Sequence, residues 1–174
     1  MTITRIAAAV TCAAAVVLGV VTVSGPTVPD EHWGTRGDVV NGLGLSTFLG
    51  MAVACRLLVA LLRPGRVGLG GVYSAQAGLV LMTVESLASE LHGGDTLGPV
   101  FMLGLLLTLG GLLVLGIDGL RRPGARWLAL LPLVAMLVGI GAGDRGGFLL
   151  LGAAWGGFAL ARPADRGEET AQPA

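Results

Sequence analysis

The chain contains no lysine, and only 13% of its residues are charged, 5% are aromatic and two are cysteine. Each shortage excludes something. Soluble domains carry about 25% charge. Eleven acidic and 11 basic side chains are too few to cover a folded chain of 174 residues. The formal net charge is +0, so no basic field exists to hold a nucleic acid. Cys12 and Cys55 lie in apolar runs, without the CxxC or Cys/His spacing of a metal site, and read as small apolar fillers. There is no HExxH, no GxSxG and no paired catalytic carboxylate motif, hence no visible nucleophile-plus-base pair. Gly68-Leu69-Gly70-Gly71 fails as a phosphate loop, because no strand precedes it and no lysine follows. No cofactor and no metal is called for.

What is abundant points to lipid. Hydrophobic residues make up 53% of the chain, 30 residues are glycine, and the mean hydropathy is +0.81. Apolar segments cover approximately 6–23, 39–62, 67–91, 100–120, 127–142 and 148–161. Only helices and closed barrels satisfy their backbone in a bilayer, and runs of this length are helical. The expected fold is all-α, a polytopic membrane helix bundle of about six transmembrane helices. Residues 1–162 form the transmembrane helix-bundle domain, and 163–174 form a short polar cytoplasmic tail.

Arginine sets the expected orientation. Arg5, Arg63, Arg66, Arg121, Arg122, Arg126, Arg162 and Arg166 fall at one side of these segments, and Arg36 and Arg145 at the other. The positive-inside rule then gives an N-in/C-in, multi-pass protein of the cell (inner) membrane. The first segment exceeds the 7–15 apolar residues usual in a signal peptide, which favours a retained helix over a cleaved leader. Arg-Pro pairs at Arg63-Pro64, Arg122-Pro123 and Arg162-Pro163 end the inward-running segments.

Small residues recur at every fourth position: Gly42, Ser46, Gly50 and Ala54 in the second segment, and Gly70, Ser74 and Gly78 in the third. Ala135, Gly139 and Gly143 do so in the fifth, and Gly152 and Gly156 in the sixth. Such stripes let helices approach closely in lipid, so these are the expected helix-packing residues. The last two segments are short for a hydrocarbon core of about 30 Å. The turn between them carries Asp144 and Arg145, which are either a buried pair or wet groups above a thinned bilayer.

The third segment holds the candidate intramembrane polar or proton-carrying residues. Glu85, Ser89 and His92 share one helical stripe, with Glu90 beside them. An ionisable group inside a span is a functional candidate by default. If the helix runs through His92, Glu85 lies about 10 Å below its outer end. There Glu85 would carry a proton and His92 would relay it. If the span ends near Val84, residues 85–92 are an amphipathic turn at the interface. Other polar groups read as structural. Arg56 snorkels, Asp118 pairs locally with Arg121 and Arg122, Gln76 bonds another helix, and the tryptophans serve packing or the interface.

Gly70-Gly71-Val72-Tyr73 and Asp95-Thr96-Leu97-Gly98 resemble two elements of the B-type subunits of multisubunit cation/proton antiporters. Those elements are a Gly-rich turn ending in an aromatic residue at a helix start, and an Asp-x-Gly helix entry. The second has one residue more than in that family, the two stand closer together, and the likeness covers less than a third of the chain. It implies a cation- or proton-coupled role.

The reading that follows is a non-enzymatic membrane component or accessory subunit. Its partners are the lipid bilayer and a homo-oligomer or membrane complex, with no nucleic acid. The alternatives are a small proton- or cation-coupled transporter or antiporter subunit using Glu85, and an intramembrane enzyme with an outward-facing polar cavity.

Overall fold

The computed structural model describes residues 2–24, 34–91, 98–121 and 127–161, with the side chains of 34–38 and 144 left aside. The protein is an all-α helical bundle. Its helices are α1 (Thr2–Val23), α2 (Gly34–Leu62), α3 (Arg66–Leu91), α4 (Pro99–Leu120), α5 (Leu131–Gly141) and α6 (Gly147–Leu160). A short 3-10 turn, Gly143–Arg145, joins the last two. Four helices, α1 to α4, are long and apolar enough to cross a membrane. The other two have 11 and 14 residues.

Local chemistry sets the boundaries. Pro64 disfavours the α region for the residue before it, and Arg63 leaves α2 with a φ of 44°, as the helix-terminating left-handed residue. Proline stands in the first turn of both α4 and α5, where its missing N–H is not needed. The apolar run at 127–142 therefore divides: Trp127 to Leu130 form a turn, and the helix starts only at Leu131. Gly146 takes a φ of 88°, a conformation open mainly to glycine, so the chain reverses there into α6.

Each helix packs on its neighbour in sequence, and α6 returns to α1, so the six close into a ring. The core is apolar. It contains Met51 and Leu58 from α2, Met82 from α3, Leu112 from α4, Met136 from α5 and Trp155 from α6. The outward faces are apolar too, with Val10, Leu49, Val84, Leu106, Leu137 and Leu150 all exposed. A surface so continuously apolar is a lipid- or protein-facing one.

α3 and α4 approach each other closely along a run of glycines. A Cβ at Gly71 would lie 2.5 Å from the carbonyl oxygen of Gly111, and one at Gly104 would lie 2.7 Å from that of Gly78. Added Cβ atoms at Gly78 and Gly111 would run into the Gly104 and Gly71 carbonyls in return. Backbone thus lies on backbone. Thr108 fits between these contacts, donating to its own Gly104 carbonyl at 2.8 Å.

The stripe on α3 is only partly the one expected: Gly78 is buried and Ser74 Oγ donates to the Leu107 carbonyl of α4 at 3.2 Å, but Gly70 turns away. Gly68, Gly71, Ala75, Gly78 and Met82 are buried, whereas Gly70 is exposed with nothing within 4 Å of a Cβ placed there. The reason is geometric. A strict four-residue step drifts by about 40° around the helix each time, whereas alternating steps of three and four stay on one face. The same drift divides the stripe on α2. Gly50 and Ala54 are buried, with Gly50 against Thr11, while Gly42 and Ser46 are exposed. Ala135, Gly139, Gly143 and Gly152 are buried, and Gly156 is half-buried with Cys12 Sγ 2.9 Å from an added Cβ.

Gly78→Leu or Gly111→Leu should therefore force α3 and α4 apart and destabilise the bundle by about 1–3 kcal/mol or more. Gly110→Leu, on an open outward face, should leave stability unchanged. Thermal melting of the purified protein in mild detergent separates the two classes.

Candidate functional site

Neither α3 nor α4 starts with a conventional cap. Gly98 precedes α4 without a side-chain capping bond, and neither helix has an acidic residue in its first turn. Helix starts leave backbone N–H groups unpaired and carry the positive end of the helix dipole. In each case a carboxylate of the other helix lies beside that start. Asp118, near the end of α4, accepts a hydrogen bond from the Gly65 N–H at 2.8 Å, just before α3. Its Oδ2 also lies 2.6 Å from where a Cβ of Gly68 would be. Glu85, near the end of α3, rests an Oε1 against Gly98, so closely that a Cβ there would collide with it. Each of the two antiparallel helices thus places a carboxylate beside the start of the other, at opposite ends of their glycine seam.

This locates the first candidate. α3 continues to Leu91, so Glu85, Ser89 and Glu90 are all helical. Glu85 and Ser89 are half-buried and Glu90 is exposed. Glu85 stands level with the first residues of α4, not midway along the pair. From Gly98 the 22 residues of α4 run about 33 Å to Leu120. His92 lies outside the described residues, as do Asp95, Thr96 and Leu97.

Arg145 is exposed in the turn between α5 and α6, and the Asp144 side chain is not among those described. That turn packs on α1, α5 and α6, whereas Glu85, Ser89 and Glu90 belong to the α3–α4 end, so the candidates occupy different elements. Among the described residues no three His, Cys, Asp or Glu side chains gather as a metal site would require.

α1 and α6 are tied at both ends in a comparable way. Arg5 Nη2 donates to the Ala161 carbonyl at 3.0 Å, where a cation meets the negative end of α6. Thr22 Oγ1 donates to the Gly143 carbonyl at 3.1 Å. Arg5 to Thr22 is about 26 Å of helix, so α6 and its turn traverse the same height as α1. Gln76 Nε2 donates to the Ala52 carbonyl at 2.9 Å, the interhelical bond expected of it. The Arg56 guanidinium lies over the Tyr73 ring, 5.3 Å from its centre.

Sequence reasoning missed the reach of Asp118 across to α3. Its distance from Arg121 and Arg122 suggested a local pair, and spacing along one helix says nothing about the next. A usable signal was present: two helix starts without caps, and two carboxylates within apolar helices. Asp118→Ala, which strands the Gly65 N–H, should cost about 1–3 kcal/mol. Asp118→Asn keeps an acceptor and should cost less. Melting both variants in detergent provides the comparison, and equal losses would count against the cap.

Compared with known proteins, the chain matches no family model, no curated protein and no solved structure.

Proposed function

We propose that this is a non-enzymatic, multi-pass component of the cell (inner) membrane, an accessory subunit that works through helix packing with a membrane partner or with itself. The observation that carries this reading is how the interior is filled. The centre holds Leu, Met and Trp side chains. The buried polar residues Thr11, Thr47 and Thr108 each donate to a carbonyl four residues earlier on their own helix. Glu85 lies against Gly98 at the start of α4.

The reading includes six crossings with both termini in the cytoplasm. Its support is that α6 shares the height of α1, and that α5 begins where Ala129 and Leu130 meet Gly119 and Gly116 at the end of α4. Arg5, Arg63, Arg66 and Arg121 gather at one end of the bundle, as a positive-inside side requires. α1 enters this arrangement as a full member, burying Ala8, Thr11, Ala15 and Leu18. That favours a retained helix.

The test is extraction from the native host in mild detergent, followed by mass analysis of what co-purifies. A stoichiometric membrane partner, or a defined homo-oligomer, is expected. Recovery as a monomer with an ion flux abolished by Glu85→Gln would replace this reading with coupled transport. A cysteine at position 85, with Cys12 and Cys55 changed to Ala, should react with an impermeant thiol reagent from outside intact cells. Labelling only after permeabilisation would reverse the orientation or bury the site.

A further inference from the structure

We propose that the outward face shared by α2 and α3 binds an anionic phospholipid, with its phosphate between the guanidinium groups of Arg56 and Arg66. The proposal rests on the membrane-spanning reading, but not on which side is the cytoplasm. Arg66, Gly70, Tyr73 and Ala77 follow at steps of four, three and four, and all are exposed, so they form one outward stripe of α3. Gly70 leaves a gap in that stripe, since a Cβ placed there would meet nothing within 4 Å. The gap lies between Arg66 at the helix end and Tyr73 about 10 Å further along. From α2, Arg56 reaches over the Tyr73 ring, 5.3 Å from its centre. Two exposed cations therefore bracket an open notch near the start of α3.

The surroundings suit a lipid and no other anion so well. Beyond the notch the face continues as Leu49 and Val53 of α2 and Ala77 and Val80 of α3, all exposed, which is a bed for acyl chains. Tyr73 gives Arg56 a ring quadrupole but no formal negative charge. The described carboxylates lie elsewhere, with Glu90 exposed near the far end of α3. Asp118 accepts from Gly65, and Glu85 lies against Gly98 near the far end of α3. A phosphodiester matches the planar guanidinium fork and reaches this depth with its chains already in the bilayer. Two guanidiniums around one phosphate leave an excess positive charge, which disfavours a choline or ethanolamine headgroup.

The experiment uses the full chain, purified in detergent, stripped of lipid and titrated with phosphatidylglycerol or phosphatidylcholine, with bound lipids counted by native mass spectrometry. Phosphatidylglycerol should bind about tenfold more tightly, the scale of one charge-assisted contact. Arg56→Gln should bring the two lipids to near parity. Gly70→Leu should do the same by filling the notch while both arginines remain. Because Gly70 faces open space, that variant should also melt like the parent, which separates lost binding from lost folding. No preference in the parent protein, or a preference surviving in either variant, would overturn the proposal. Release of the native protein from membranes by alkaline carbonate, without detergent, would instead remove the membrane reading beneath it.

Discussion

Backbone contact between α3 and α4 is the constraint on which the rest of the bundle depends. Lipid tails are as apolar as leucine, so helices in a bilayer gain little by burying hydrophobic side chains against one another. They gain from close atomic contact, which decays within an ångström of separation. Gly71, Gly78, Gly104 and Gly111 remove the side chains that would hold the axes apart. A seam of bare backbone is nonetheless poor at fixing register, because glycine offers nothing to interlock. The carboxylates supply what the seam lacks. A slip of one residue moves a side chain about 1.5 Å along the axis and 100° around it, which would take Asp118 from Gly65 and Glu85 from Gly98 together.

The same solution recurs between α1 and α6. Gly152 lies against the Cys12 carbonyl and Val16, and Gly19 against Leu149, so small residues again set the separation. Arg5 and Thr22 then fasten the two ends. The signs are reversed in a way the helix dipole explains. Anionic side chains meet the helix starts of the α3–α4 pair, and donors meet a helix end and a turn in the α1–α6 pair. In both cases an apolar seam provides closeness, and polar bonds near the interfaces provide alignment.

Much of this was legible in the residues. Helix positions follow from apolar runs bounded by Arg-Pro and Gly-Pro, and α1 to α4 fall where the runs put them. The shortness of α5 and α6 was visible too, although the Leu131-Pro132 start shortened α5 further. The helix faces were harder. With 30 glycines, four-residue repeats arise on several faces at once, and composition gives no reason to prefer Gly71 over Gly70. Only the partner helix decides. The glycines of α4 stood out least, although Gly104 and Gly111 lie directly against the backbone of α3. Glu85 posed a choice between a span ending at Val84 and one running through His92. The fold offers a third arrangement, in which α3 continues to Leu91 while α4 begins beside Glu85. That depends on where the following helix starts, which is information held in Gly98-Pro99 and not in α3.

Among the described residues the buried interior is mostly apolar, and the outer surface is largely so. Most of it is aliphatic, and aliphatic groups treat one lipid much like another. Arg56, six residues inside the end of α2, is a charged group among these aliphatic ones. A guanidinium at the centre of a bilayer is disfavoured by about 2.5–3.5 kcal/mol relative to neutral residues, and by less near the headgroups. A leucine at that position would carry no such penalty and would make similar contacts with the chains. The charge is tolerable there because Tyr73 offers its ring and Gly70 leaves the path to the headgroups open. Those two features make a phosphate the natural counter-ion. If a lipid phosphate binds there as proposed, the bilayer supplies part of the local electrostatic balance, and the protein's stability at this face depends on which lipids surround it.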